Sequence, residues 1–152
     1  MGDINNPCLE CEIVRGAVRP PGGVIARRDG LVLHGFADPS PIPGWVVLTT
    51  ERHARALYDL DEAEARALGP FAAEVMRAQR TVLGAEHVYA FAIGDALLHF
   101  HLHLVPRYAD TPDRLRGRKA FEGQQGDARS VAEIEKAVEA LRTVLAFGLN
   151  QA

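Results

Sequence analysis

Three histidines alternate with apolar residues in the stretch HFHLHLV, which spans residues 99–105. Successive side chains of a β-strand point to opposite faces of the sheet. A strand over 97–105 would therefore carry His99, His101 and His103 on one face and an apolar set on the other: Leu98, Phe100, Leu102 and Leu104. A buried polar group without a partner costs about 1–3 kcal/mol. The histidine face is therefore expected to line a cleft or contact a ligand, and the apolar face to pack against helices.

Three interpretations of the histidine row are open from the residues alone. The first is a half-exposed strand whose outer residues are histidine by chance. The second is a metal site formed by all three rings, although the first and third backbones would lie about 13 Å apart along a strand, which is far for bonds of about 2 Å. The third is nucleophilic catalysis at phosphorus, because a neutral imidazole is a nucleophile near pH 7 and its neighbours can donate hydrogen bonds to phosphoryl oxygens.

Composition and charge limit the class of protein. The chain has 152 residues, of which 47% are apolar and 24% are charged, a balance typical of one soluble globular domain. The net charge of −3 does not favour a nucleic acid as partner. No apolar run approaches the roughly 20 residues that span a bilayer, and the first residues do not resemble a secretory signal. A cytoplasmic protein without a membrane partner is therefore expected.

The hydrophobic pattern predicts an α+β fold with a largely antiparallel five-stranded sheet and two main helices on one face. Asp29-Gly30 is a signal for a tight turn between the first two strands. The five predicted strands are Val24–Arg28, Leu31–Phe36, Trp45–Thr50, Val88–Ile93 and Leu97–Val105.

Two helical patterns accompany these strands. The first covers 60–84, but Pro70 is expected to break or restart the helix, because proline lacks the backbone donor. The second is predicted over 130–148, where Ser130 and a glutamate three residues later form a capping box. Between the helical and strand segments, residues 109–129 are polar and are predicted to lie on the surface. A single domain over 1–152 is expected, with its core in about 8–108.

The pattern His-φ-His-φ-His-φ-φ, with φ apolar, is the mark of the histidine triad (HIT) family of nucleotidyl hydrolases and transferases, and 99–105 fits it at every position. The chain resembles this family in further segments. Cys8-Leu9-Glu10-Cys11 is similar to the N-terminal Cys-x-x-Cys of many bacterial members. Pro43-Gly44-Trp45, with His53 downstream, is similar to their Pro-Gly-His strand and trailing histidine. Pro106-Arg107 resembles the dinucleoside polyphosphate hydrolase branch.

The resemblance implies a HIT-like fold and a two-step mechanism. His101 would be the nucleophile that attacks the α-phosphorus and forms a nucleotidyl-histidine, which water or another acceptor then resolves. His103 would bind phosphate oxygens and assist the leaving group, and His99 would be the third catalytic histidine. Backbone N–H groups near Gly94 and protonated imidazoles would supply the positive field. The expected substrate is a dinucleoside polyphosphate such as diadenosine tetraphosphate, or a related nucleotide conjugate. The resemblance also implies a homodimer in which two sheets join.

The resemblance further implies a structural zinc ion bound by Cys8, Cys11, His53 and His99. Two cysteines and two histidines would form a closed tetrahedral site. A redox-active cysteine pair is an alternative, although the strand that usually precedes such a pair is missing. Two buried cysteines without a function are the other alternative.

The sequence departs from the family pattern at several positions. Trp45 replaces the histidine of the Pro-Gly-His strand and is expected to pack as an apolar ring. Ala37 stands where relatives often carry the residue that holds the ribose hydroxyls, which makes the neighbouring Asp38 the substitute. The segment 94–98 lacks the Gly-Gln pair that contacts the reactive phosphate in many members. Two roles are open for Arg107. It could bind a distal phosphate, or it could be a solvated arginine at the end of a strand.

The leading hypothesis is therefore a nucleotide hydrolase or nucleotidyl transferase with His101 as nucleophile. The alternative is a non-catalytic nucleotide- or zinc-binding protein on the same fold, which the departures at Trp45 and 94–98 favour. His34 and His87 lie outside the motif and are predicted to be surface residues.

Overall fold

The computed structural model describes residues 7–37 and 39–148. Five strands form an antiparallel sheet in the order β1-β2-β3-β5-β4, which confirms the predicted α+β class. The strands are β1 (Val24–Arg28), β2 (Leu31–Gly35), β3 (Val46–Thr50), β4 (His87–Phe91) and β5 (His101–Arg107). The helices are α1 (Leu9–Val14), α2 (Glu62–Val82) and α3 (Val131–Gly148). None of the described helices combines the length and the apolar character that crossing a bilayer requires.

The turn between β1 and β2 has the predicted chemistry. Asp29 and Gly30 both have positive φ, of 49° and 78°, as a two-residue hairpin turn of type I′ requires. Arg28 and Leu31 face each other on either side of this turn. The turn sets the register of the hairpin, and a shift by one residue would exchange the two faces of β2.

The central strands are buried on both faces of the sheet. One face packs against α2 and α3, and its core residues are Leu31, Leu33, Val46, Leu48, Phe71, Val75, Leu104, Leu141 and Leu145. Burying each of these large side chains stabilises the fold by about 1.5–3 kcal/mol. On the opposite face, His34, Val47, His103 and Phe91 are direct neighbours in register across β2, β3, β5 and β4. The register alone therefore brings two histidines from distant parts of the chain into one row.

Helix α2 runs through Pro70 without interruption, so the predicted break near Gly69 is wrong. Both residues are exposed, and the carbonyl of Arg66, which loses its helical bond partner at the proline, belongs to an exposed residue. The next turn is anchored by Phe71, which is buried. Water can satisfy the free carbonyl and tertiary packing restores the helix beyond it.

The predicted strand over 97–105 begins later, because regular pairing starts only at His101. The backbone N–H of Phe100 donates instead to the carbonyl of Ala54, at 2.7 Å, which holds the preceding residues away from the sheet. Leu98, expected on the helix-covered face, is 57% exposed. The alternation of the motif therefore holds for His101 and His103, while His99 lies outside the strand.

The segment over 109–129 is more buried than its polar composition predicts. It contains short 3-10 helices at Asp113–Leu115, Gly117–Glu122 and Gln125–Asp127. Leu115 and Ala120 are buried. The capping box predicted before α3 is present, since the Ser130 hydroxyl and the Glu133 backbone N–H are hydrogen-bonded at 3.2 Å.

Replacing Pro70 with alanine is expected to raise the free energy of unfolding by about 1–2 kcal/mol. Alanine restores the backbone donor of the helix, and it is about 3 kcal/mol more favourable than proline in a helix interior. Part of this gain is lost, because the unfolded chain without the proline has more conformational entropy. Gly69→Ala, where an added Cβ meets no atom within 4 Å, should add about 0.5–1 kcal/mol. Urea denaturation of both variants measures these gains, and a less stable Pro70→Ala protein would contradict the explanation given for α2.

Candidate active site

A cleft of about 550 Å³ lies on the face of the sheet opposite α2 and α3. This volume is in the range of small-molecule sites. Its apolar walls include Leu9, Phe36, Val47, Ile93, Leu97 and Phe121, and its polar groups are Glu10, His34, Asp95, His101 and His103. None of the described lining residues is a lysine or an arginine. A ligand there meets apolar surface, imidazoles and two carboxylic acids.

A hydrogen bond to the backbone just before β5 holds the ring of His101. Its Nδ1 lies 2.6 Å from the backbone carbonyl oxygen of His99, an atom that only accepts hydrogen bonds. Nδ1 must therefore carry the proton, which leaves Nε2 of the neutral ring with a free electron pair. The partly buried ring lines the cleft, so a nucleophilic nitrogen is available there.

His103 is the more buried of the two cleft rings of the motif, at 7% exposure. Its ring centroid lies 5.0 Å from that of His101. Nε1 of Trp45 donates a hydrogen bond to Nδ1 of His103 at 3.1 Å. Trp45, predicted to pack only, thus also contacts the motif through its polar atom.

Aromatic rings enclose His103 on three sides. Phe36 is stacked on Trp45, with ring centroids 4.1 Å apart and planes 6° apart. Phe121, from the segment after β5, meets both Trp45 and His103 edge-on at 4.9 Å. Burial, with the charge of His101 as a second cause, lowers the pKa of His103 to about 4. This ring is therefore neutral near pH 7.

A buried pair joins α1 to β2 at the edge of the cleft. Nε2 of His34 lies 2.8 Å from Oε2 of Glu10, and its Nδ1 lies 2.7 Å from the carbonyl oxygen of Gly35. Burial alone would raise the pKa of Glu10, but the hydrogen bond and the charge of His34 outweigh it, and the pKa lies below its usual value. His34 is 1% exposed, so its predicted surface position is wrong, whereas His87 is exposed as predicted.

Cys8, Cys11, His53 and His99 converge beside α1, and their ligand atoms all lie within 4.8 Å of one another. Sγ of Cys8 and Sγ of Cys11 lie 3.3 Å and 3.4 Å from Nδ1 of His99. Sγ of Cys11 lies 3.3 Å from Nδ1 of His53. The structure thus brings together all four residues that the resemblance assigned to a metal.

The geometry of this group fits a tetrahedral zinc ion. Bonds of about 2.3 Å to sulfur and 2.0–2.1 Å to nitrogen would separate neighbouring ligand atoms by about 3.6 Å, close to the distances observed. Burial and the neighbouring Cys8 thiol raise the pKa of Cys11 to about 11, and a divalent cation would remove the cost of ionising two adjacent thiols. Nε2 of His99 lies 3.0 Å from the Thr50 carbonyl oxygen, which leaves Nδ1 free to bind a metal.

The remaining predicted site residues lie in different places. Gly94 is exposed between two residues that line the cleft, Ile93 and Asp95. Arg107 is not among the lining residues, and its guanidinium lies 3.8 Å from the carboxylate of Glu86. Asp38 lies outside the described residues. His99 is fully buried. Its backbone carbonyl accepts a hydrogen bond from the ring of His101, and its own ring is not among the lining of the cleft.

Residues that the sequence did not assign to the site complete the cleft. Phe36, Phe121 and the Glu10–His34 pair all line it. Phe121 follows β5 by more than ten residues, in a segment whose composition indicates only a polar surface. The position of Glu10 between the two cysteines of the predicted metal site was the signal in the sequence that could have placed it near the cleft.

Comparison with known proteins supports the fold. No protein-family model and no curated protein matches the sequence. Among solved structures, a Zn-bound histidine triad family protein from Mycobacterium smegmatis has a TM-score of 0.71 at 20% identity, with 95% of this chain and 97% of that one covered. A hypothetical histidine triad nucleotide-binding protein from Sulfolobus tokodaii strain7 has a TM-score of 0.70 at 15% identity, covering 92% and 93%.

A third similar structure is diadenosine triphosphate hydrolase from Plasmodium falciparum, in complex with Cyclomarin A. Its TM-score is 0.61 at 16% identity, and 82% of this chain and 76% of that one are covered. Identities of this size establish the fold and not the activity. The resemblance found in the histidine motif is confirmed at that level, and the chain has the fold of the histidine triad proteins.

Proposed function

We propose that the protein is a nucleotide hydrolase or nucleotidyl transferase that acts through a covalent nucleotidyl-histidine at His101. The observation that carries this proposal is the hydrogen bond from Nδ1 of His101 to the carbonyl oxygen of His99, at 2.6 Å. It leaves the electron pair of Nε2 free in a cleft that His103 also lines. A neutral imidazole placed in this way is a nucleophile that requires no separate base.

In the first step, Nε2 of His101 attacks the α-phosphorus in line with the leaving group. The new N–P bond forms as the bond from phosphorus to the leaving oxygen or nitrogen breaks, and the leaving group takes the electron pair. In the second step, an oxygen of water or of another acceptor attacks the same phosphorus, the N–P bond breaks and its electron pair returns to Nε2 of His101. The proton that an attacking water loses passes to the solvent. A hydrogen bond from the neighbouring His103 would stabilise the negative charge on a non-bridging oxygen.

The cleft supports a nucleotide through its apolar walls. A base can stack or pack against Phe36, Ile93 and Leu97, which all line the cleft, and such surface with few polar groups is typical of small-molecule sites. Dinucleoside polyphosphates, including diadenosine tetraphosphate, and nucleotide conjugates are the proposed substrates. The similar Plasmodium falciparum protein, a diadenosine triphosphate hydrolase, supports the first of these. Asp38, Gly94 and Arg107 remain proposed substrate contacts.

We propose that zinc binds to Cys8, Cys11, His53 and His99. Because the protein supplies all four ligands, the ion would have a structural role, joining α1 and the residues after β3 to the entrance of β5. The Zn-bound protein from Mycobacterium smegmatis supports this assignment. Thiolate ligands persist in a reducing compartment, which supports a cytoplasmic location.

One observation favours a non-catalytic nucleotide- or zinc-binding protein as the second candidate. The described lining residues of the cleft include Asp95 but no lysine or arginine. The negative charge of a polyphosphate would therefore be balanced only by hydrogen-bond donors, which lowers the expected rate of phosphoryl transfer. Such a protein would bind a nucleotide without cleaving it.

His101→Ala is expected to lower the turnover rate by at least about 10³-fold, because the covalent step is lost. After a short incubation of wild-type protein with diadenosine tetraphosphate and acid-free denaturation, mass spectrometry should find one nucleotide attached to His101. The adduct should be acid-labile and absent from His101→Ala. His87→Ala, which removes an exposed histidine outside the cleft, is the matched control and should behave as wild type.

A protein that forms no adduct and turns over none of a broad panel of nucleotides and conjugates would contradict the catalytic proposal. Nucleotide binding that is equally tight in wild type and His101→Ala, together with absent turnover, would establish the non-catalytic alternative. Isothermal titration calorimetry with a nucleoside monophosphate measures that binding.

Freshly purified protein is expected to contain about one equivalent of zinc, and Cys8→Ser much less, because a thiolate ligand is lost. Elemental analysis measures both. His87→Ala again serves as control, because it removes an imidazole that is not near the four residues. Less than about half an equivalent in the wild-type protein would contradict the zinc proposal.

We further propose a homodimer in which two sheets join, since β4 is an outer strand of the sheet and an outer strand presents unpaired backbone groups. Size-exclusion chromatography with light scattering should give a mass near twice the 16.5 kDa protomer. Ala90→Glu, at an exposed position of β4, should shift this toward the monomer. A wild-type mass of one protomer at concentrations of the assay would contradict the dimer.

A further inference from the structure

The indole of Trp45 determines which nitrogen of His103 carries a proton. Its Nε1 lies 3.1 Å from Nδ1 of His103. An indole N–H is a donor and never an acceptor, so Nδ1 of His103 must accept and carries no proton. The single proton of the neutral ring is then on Nε2. Among the described residues no hydrogen-bond partner faces Nε2, and the ring lines the cleft.

Packing keeps Trp45 in this position. Its side chain is 1% exposed, with Phe36 stacked at 4.1 Å on one side and Phe121 edge-on at 4.9 Å. The backbone N–H of Phe36 also donates to the Trp45 carbonyl at 3.2 Å. The indole has no room to rotate away from His103, so the hydrogen bond is imposed by the surrounding rings.

We propose that Trp45 is a positioning residue that holds His103 as a neutral imidazole with its proton on Nε2. His103 then offers an N–H donor to the cleft. A neutral His101 has the opposite tautomer, because its Nδ1 faces the carbonyl of His99 and must carry the proton. Two adjacent rings of one strand are thus prepared for different tasks, the first to attack phosphorus and the second to donate to a phosphoryl oxygen.

The surroundings of His103 oppose a second proton. An imidazolium would carry an N–H on Nδ1, which would point at the indole N–H and leave two donors without an acceptor. The titratable groups that face the ring are His101 from β5, His34 from β2 and Glu10 from α1. Burial is the main cause of the lowered pKa, the two histidines act in the same direction, and the Glu10 carboxylate acts against them.

The catalytic consequence rests on the proposed function, whereas the tautomer is a property of the free protein. In the proposed reaction His103 donates a hydrogen bond to a non-bridging oxygen and does not release a proton to the leaving group. The expectation that protonated imidazoles supply the positive field in the cleft therefore does not apply to His103.

The tautomer can be measured on the ligand-free protein labelled with [¹⁵N]histidine, by two-bond ¹H–¹⁵N correlation spectra between about pH 6 and 8, where histidine ordinarily titrates. His103 of the wild type should show an unprotonated Nδ1 and a protonated Nε2 throughout. Trp45→Phe keeps an aromatic ring but loses the donor. In that variant, a fraction of His103 should carry a proton on Nδ1, increasing toward pH 6.

One further variant makes the result specific. Tyr108→Phe removes the hydrogen bond that another aromatic side chain of the same cluster donates to the Pro43 carbonyl at 2.7 Å, without contact to His103, and should leave the His103 spectrum unchanged. The wild-type spectrum requires no variant, so it tests the proposal even if Trp45→Phe does not fold. A wild-type His103 protonated on Nδ1, or a Trp45→Phe spectrum identical to that of the wild type, would overturn the proposal.

Turnover adds a second readout. Complete loss of one donor to a developing oxyanion costs about 10²–10³-fold in kcat. Trp45→Phe only redistributes the proton of His103, so kcat should fall about 10-fold while KM changes little. If the wild type turns over no substrate, the proposed function fails, but the spectra still decide whether Trp45 sets the tautomer.

Discussion

The candidate site depends on the position of one buried residue, His99, which stands just before β5. Its Nδ1 faces the sulfurs of Cys8, which precedes α1, and of Cys11 within α1, and its Nε2 faces the carbonyl of Thr50 at the end of β3. Its own carbonyl oxygen accepts the hydrogen bond that orients the ring of His101. A displacement of His99 would therefore disturb the Cys/His group, the contact with β3 and the ring of His101 at the same time.

In this arrangement each of the three histidines of the motif has different hydrogen-bond partners. The first ring leaves the cleft and joins a group suited to zinc, while the other two remain at the cleft in different hydrogen-bonded states. Their surroundings are mainly apolar and aromatic, and in such a medium a hydrogen bond is stronger than in water. In the proposed function, N–H donors held in place by the fold, and not lysine or arginine side chains, would bind the phosphate.

Some features of the fold followed from local sequence signals. The Asp29-Gly30 turn, the five strands and the capping box at Ser130 were predictable, because each depends on residues close together in the chain. The break predicted at Pro70 is absent from α2, because an exposed carbonyl and the packing of Phe71 compensate for the lost helical bond. The sequence predicts His34 at the surface, because a single histidine in a strand does not reveal the carboxylate of Glu10 that α1 brings to it.

The sequence by itself determined the motif chemistry: alternation along a strand places His101 and His103 on one face, and the family resemblance grouped Cys8, Cys11, His53 and His99. Only the tertiary structure decided how these residues differ. Pairing of β3 with β5 sets His103 beside the residues of the Pro-Gly segment, and the later segment around Phe121 closes over it. A tautomer depends on which atom lies about 3 Å from a ring nitrogen, and such a distance between remote parts of the chain arises only when the sheet has formed.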